Sequence, residues 1–170
     1  MARKLRCIGT LFFFLMQILI LPAQVQSKSY QFLLNTLLTH NVPECSVAAM
    51  LKAGWHDAVL LDARDRREYE VSHLPNAHWV GFDEFDAQKV SHLDKGCPII
   101  VYCSVGYRSE KIAKQLQQQG FINVENLVGG IFEWKNQGGK VYNTNGETQQ
   151  VHAYNRTWGI WLTKGVKVYD

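Results

Sequence analysis

The residues best able to do chemistry in this chain of 170 stand together as Cys103-Ser104-Val105-Gly106-Tyr107-Arg108-Ser109. The apolar run Pro98 to Tyr102 precedes them and a helical pattern follows, so the segment reads as a turn from a buried strand into a helix. Such a turn lets successive backbone N–H groups and the positive end of the helix converge on the cysteine sulfur. Gly106 permits the tight turn, and Arg108 adds a cation. These surroundings favour a thiolate over a thiol, which makes Cys103 a candidate nucleophile.

A second group follows another short apolar run, Ala58 to Asp62. Asp62, Arg64 and Glu68 read as a hydrogen-bonded salt-bridge group bracing the loops, with a place for Asp62 at the pocket rim as the alternative. His73 reads as a structural histidine, and Trp79 and Trp134 as packing. Cys45 and Cys97 read as buried thiols, with mutual pairing or a resolving role left open. The cysteine spacings fit no zinc pattern and the histidines are scattered, so neither a metal site nor a cofactor is expected.

The elements that must position these residues alternate in type. Strands are expected at Ala58–Asp62, His78–Val80, Pro98–Cys103 and Val124–Leu127. Helices are expected at 29–38, from Ser46 to Ala53, at Arg66–Val71, at Asp83–His92, at Ser109–Gln119 and at Gly130–Gln137. Strands alternating with helices imply a parallel sheet with helices on both faces and a ligand site at the carboxyl ends of the strands. Asp62 and Cys103 both fall at such ends.

Length and composition set outer bounds. A content of 46% hydrophobic and 19% charged residues is that of one globular domain, not of a disordered chain or a multidomain machine. The formal charge of +3 suggests an acidic partner until its location is considered. Of the 18 bases, Arg3, Lys4 and Arg6 sit at the extreme N-terminus and none of the 15 acids precedes Glu44, so the balance from Lys28 onward is zero. Nucleic acid is therefore not an expected partner. The basic start, the apolar run Leu11 to Leu21 and the small residues up to Ser27 read as a signal peptide over residues 1–27. Export is expected, to the periplasm in a double-membrane bacterium and otherwise by secretion, with no stable membrane span in the mature form.

The motifs resemble those of rhodanese domains, the thiosulfate and related sulfurtransferases. Cys-x-x-Gly-x-Arg-Ser at Cys103–Ser109 is similar to the family's active loop. Leu61-Asp62-Ala63-Arg64, Glu68-Tyr69 and Ser72-His73-Leu74-Pro75-Asn76-Ala77 resemble its Asp-Val-Arg, Glu-Tyr and Gly-His-Ile-Pro-Gly-Ala stretch. Leu127-Val128-Gly129-Gly130-Ile131-Phe132-Glu133-Trp134 resembles its closing Leu-x-Gly-Gly-Ile-x-x-Trp. Ser72 and Asn76 depart from the family's glycines, so those turns must tolerate a side chain.

The resemblance implies a rhodanese-like α/β fold, a central parallel five-stranded sheet with helices on both faces. It places the domain at 44–140, after a lead-in helix at 28–43 and before an extension at 141–170. The aromatic stretch Val151 to Leu162 should pack over the domain, completing the core or overhanging the pocket.

The implied activity is sulfur transfer. Cys103 would take the outer sulfur of thiosulfate or of a persulfide or polysulfide as a cysteine persulfide. The loop N–H groups of Ser104, Val105, Gly106, Tyr107, Arg108 and Ser109 would hold it, and a thiol, cyanide or a protein acceptor would receive it. Arg108 would orient the donor or stabilise its developing charge, with an arginine pinned to a neighbouring carboxylate as the other reading. Four residues separate Cys103 from Arg108, as in the family, where related phosphatases and arsenate reductases have five, which argues against phosphoryl transfer. A rhodanese-like carrier without turnover is the other reading. With Arg108 as the loop's one cation, modest use of thiosulfate is expected.

Overall fold

The computed structural model describes residues 25–55 and 57–170, so all but the end of the 1–27 segment lies outside the described residues. Five parallel strands form the central sheet: β1 (Glu44–Ser46), β2 (Val59–Asp62), β3 (His78–Trp79), β4 (Ile99–Tyr102) and β5 (Val124–Val128), in the order β1-β5-β4-β2-β3. Successive side chains of β2 and β4 point to opposite faces. Leu60, Ile100 and Tyr102 enter one apolar cluster, and Leu61, Ile99, Val101 and Cys103 enter the other. A strand buried on both faces has no polar side to show, which explains the unbroken runs in sequence.

Helices α1 (Lys28–Leu37), α2 (Val47–Ala53), α3 (Arg66–Val71), α4 (Tyr107–Gln118) and α5 (Gly130–Asn136) surround the sheet. On α4, Ile112, Ala113 and Leu116 recur at helical spacing and pack with Val101 and Cys103. Helix α2 begins where Ser46 Oγ accepts the Ala49 N–H at 3.1 Å and ends at Gly54, whose φ is 76°. Of the two departures from family glycines, Asn76 adopts a φ of 57°, which asparagine tolerates, whereas Ser72 is extended at −172°.

Two elements differ from the sequence reading. Asp83–His92 is not a helix but a run of turns with one 3-10 segment at Ala87–Val90. Lys89 Nζ reaches back to Val80 O at 2.7 Å and Glu84 O at 2.8 Å, and Val90 is the one buried residue of the segment, so no apolar face holds a longer helix. Strand β1 was not expected, because Glu44-Cys45-Ser46 has no apolar run; its order comes from pairing with β5.

Beyond α5, β6 (Val141–Asn143) and β7 (Gly146–Thr148) form a hairpin. Then β8 (Gln150–His152), α6 (Arg156–Gly159) and β9 (Val166–Val168) follow, with β8 and β9 parallel. Val151, Ala153 and Leu162 join the apolar cluster that contains Tyr30 and Trp134. The Trp161 ring stacks on Tyr30 with centroids 5.2 Å apart. Both flanking segments thus pack on the same side of the sheet. No described helix is long and apolar enough to cross a membrane.

Candidate active site

Cys103 follows β4 and is buried, its Sγ accepting the Gly106 N–H at 3.1 Å. The carbonyls of the loop are all fastened on the other side. Cys103 O accepts from Ile131 N at 2.9 Å, Ser104 O from Phe132 N at 3.2 Å and Val105 O from Gly129 N at 3.1 Å. Gly106 O accepts from Glu110 N at 3.0 Å and from Asn126 Nδ2 at 3.1 Å. With every carbonyl from Cys103 to Gly106 committed, the loop turns one N–H, that of Gly106, onto the sulfur.

Such close backbone contact explains the paired glycines. A Cβ on Gly130, whose φ is +53°, would collide with Cys103 O, and one on Gly129 with the Glu133 side chain. The α1 side is tied in as well. Tyr30 Oη donates to Gly129 O at 3.0 Å, and buried Glu110 accepts the Thr39 and His40 N–H groups at 3.0 and 2.7 Å.

Arg108 is held rather than free. Its Nη1 donates to Glu68 Oε2 at 2.7 Å and Asp65 Oδ1 at 3.1 Å, and its Nη2 donates to Glu68 Oε1 at 2.9 Å and Ser104 Oγ at 3.0 Å. Ser104 Oγ also meets Glu68 Oε1 at 3.0 Å. Burial alone would raise the Glu68 pKa, but the hydrogen bonds from Arg108 and the charges of Arg64 and Arg108 hold it below the ordinary carboxylate value. Burial works against the charge of Arg108 too, and Glu68 and the neighbouring negative groups outweigh it, so its pKa is raised.

The expected bracing group is split in its hydrogen bonding: Arg64 pairs with Asp62 and Glu68 with Arg108, although the Arg64 charge still acts on Glu68. Arg64 binds Asp62 through Nη2 at 2.6 Å and Nε at 2.9 Å, with both side chains fully buried, and also donates to Ser72 O at 2.6 Å. Asp62 is thus beneath the site, not at its rim, and Glu68 belongs with Arg108. His73 stacks on Tyr69 and pairs its backbone with Tyr142, as a structural histidine would. Cys45, Cys97 and Cys103 are all free. Burial pushes the Cys45 thiol pKa up, a poor setting for a second nucleophile.

A cavity of about 480 Å³ opens over the sulfur, and Cys103, Ser104, Val105, Tyr107 and Arg108 all line it. Gly106 contributes its N–H, and Ser109 turns inward, its Oγ 2.7 Å from Asn126 Oδ1. The remaining walls are Leu37, Asp65, Phe82, Asp83, Tyr154 and Trp158. Of these, only the C-terminal aromatic pair carried a sequence signal, as part of a stretch too apolar to leave in water. The Tyr154 ring lies 5.3 Å from the Arg108 guanidinium carbon, in cation–π contact.

A family model described as a rhodanese-like domain matches residues 46–137. Thiosulfate sulfurtransferase GlpE of Coxiella burnetii is 37% identical over 79 residues, which cover 46% of this chain and 73% of the relative. The tRNA uridine(34) hydroxylase of Cronobacter sakazakii is 37% identical over 83 residues, 46% of this chain and 24% of that enzyme. Among solved structures, the rhodanese-like domain of an Anabaena protein aligns with a TM-score of 0.55 at 27% identity, over 59% of this chain and 79% of its own. The BH2092 protein of Bacillus halodurans aligns with a TM-score of 0.55 at 28% identity, over 69% and 86%.

Proposed function

Because the chain belongs to the rhodanese-like domain family, we propose that it is a sulfurtransferase working through a persulfide on Cys103. Cys103, reacting as the thiolate, attacks the outer sulfur of thiosulfate; the new S–S bond forms as the old one breaks, and sulfite leaves with the electron pair. A persulfide or polysulfide donor reacts in the same way and leaves as a thiolate or a shorter polysulfide. An acceptor thiol or cyanide then takes the outer sulfur and returns Cys103 to the thiolate. The observation that carries this reading is a buried cysteine sulfur at the floor of a cavity, accepting an N–H from a loop whose carbonyls are all tied elsewhere. Arg108 holds the loop in that shape by joining Ser104 to Glu68.

The hydroxylase match covers 24% of that enzyme and supports the shared domain alone. Export is part of the proposal, supported by the basic and then apolar pattern of residues 1–27. Intact mass of protein recovered outside the cytoplasm would show the segment removed, and a mass retaining Met1 would refute its cleavage.

Treatment with thiosulfate or polysulfide should add one sulfur, about 32 Da, to Cys103. Cys103→Ser should lose this gain and all cyanide-dependent thiocyanate formation while unfolding at the same urea concentration. Sulfur found on Cys45 or Cys97 instead would overturn the assignment.

A further inference from the structure

The site's chemistry leaves its outer wall unexplained. Tyr154 and Trp158 line the Cys103 cavity yet lie beyond the family match at residues 46–137. The wall is built into the fold. Tyr154 takes a φ of 65°, its N–H donates to His152 Nδ1 at 3.1 Å, and the Nε2 of buried His152 faces Asp170 Oδ1 at 3.1 Å. Trp158 is set by α6, whose first turn is capped where Asn155 Oδ1 accepts the Trp158 N–H at 3.0 Å. Leu37 and Phe82 add further apolar surface.

Charge at the mouth points the same way. Among the described residues lining the cavity, Arg108 is the one base, and its guanidinium is committed to Glu68 and Asp65. Asp65 and Asp83 are the other charged groups there. An incoming dianion would find no unpaired base among the lining residues: Arg108 and Asp65 are paired with each other, Asp83 is a carboxylate, and Lys111, next to the lining, has its Nζ on Tyr107 Oη at 2.7 Å. A volume of about 480 Å³ also far exceeds what cyanide or thiosulfate fills, and it suits the body of a small organic molecule.

On the premise that Cys103 transfers sulfur, we propose that the natural acceptor is an organic thiol without net negative charge, whose apolar or aromatic body lies against Tyr154 and Trp158. These two residues set specificity for it. The acceptor sulfur bonds to the outer sulfur of the Cys103 persulfide, and the bond from that sulfur to Cys103 breaks. Its electron pair returns to Cys103 as thiolate, and the thiol proton passes to the new persulfide. The moving sulfur keeps its oxidation level, so no oxidant or reductant is needed.

The test loads the full-length mature protein with polysulfide or excess thiosulfate, removes the donor and follows loss of the added sulfur by mass. Phenylmethanethiol, 3-mercaptopropionate and cyanide serve as acceptors, with thiol rates compared per thiolate. Phenylmethanethiol should discharge the persulfide about tenfold faster than 3-mercaptopropionate, the size of effect one aromatic contact gives. Tyr154→Ala and Trp158→Ala should each lower the phenylmethanethiol-to-cyanide ratio about tenfold, and Tyr154→Phe and Trp158→Phe should restore it.

Equal loss for both acceptors, leaving the ratio unchanged, would overturn the specificity role. A preference for 3-mercaptopropionate would overturn the acceptor class. Both results leave the sulfurtransferase reading intact. Failure of Cys103 to load from any donor would overturn that reading, and this inference with it.

Discussion

Glu68 and Arg108 join the cysteine loop to the first turn of α3. Replacing Glu68 by Gln keeps the shape but leaves Arg108, whose side chain is 15% exposed, with Asp65 as its remaining charge partner. Breaking one side of a buried pair costs about 3 kcal/mol, and urea unfolding should show a loss of that order at neutral pH. The pH dependence has a definite sign. The carboxyl of Glu68 titrates lower in the folded protein than in the unfolded chain, so the unfolded chain takes up the proton first on acidification. The stabilisation is complete above the ordinary glutamate value of about 4.3 and disappears as pH falls through the lower folded value. Glu68→Gln should therefore flatten the acid limb of the stability curve, and an unchanged slope would refute the assignment. That a carboxylate pins Arg108 was one of its two readings in the sequence, but which carboxylate was not legible: Arg108 stands 40 residues from Glu68 and 43 from Asp65 in the chain. The loop motif announces an arginine and says nothing of its partners.

At the scale of elements, the Gly129-Gly130 turn into α5 is the support on which the cysteine loop rests. Gly130→Ala places a methyl against Cys103 O at a positive φ, so the loop or the helix must move. A loss of about 3 kcal/mol or more is expected in urea unfolding, together with at least a tenfold fall in sulfur transfer. Retention of both properties would mean that the turn does not fix the loop. This device was partly legible, because two adjacent glycines after a strand mark close backbone approach. What they approach is known only once β4 and β5 lie side by side. Strands β2, β4 and β5 and helix α4 could be read because burial writes itself as apolar runs and helical spacing. Strands β1, β8 and β9 could not: at three residues each they are too short to show an alternation, and they are ordered by pairing and not by pattern. The stretch 83–92 misled because its spacing suited a helix while its side chains had almost no core to enter.

For the whole molecule, the family domain supplies the sheet and the cysteine loop, and the segments on either side meet over it through Tyr30 and Trp161. The extension then brings Tyr154 and Trp158 to the cavity, giving a widely shared fold a wall that its own motifs do not encode. Arg108, Asp65 and Asp83 have one more consequence, in the kinetics of encounter. From Lys28 onward the formal charge is zero, so the chain as a whole adds no net attraction to set against the lining acids, of which Asp65 is shared with Arg108 and Asp83 is in no ion pair among the described residues. The electrostatic screening length shrinks from about 30 Å at 0.01 M to about 10 Å at 0.1 M ionic strength. Thiosulfate repelled by those acids should therefore load Cys103 faster as an inert salt is added over that range, while a neutral thiol should discharge it at a rate that hardly changes. A site that drew its donor in with a free cation would slow under the same titration, so the sign of the slope in stopped-flow loading tells which way this pocket pulls.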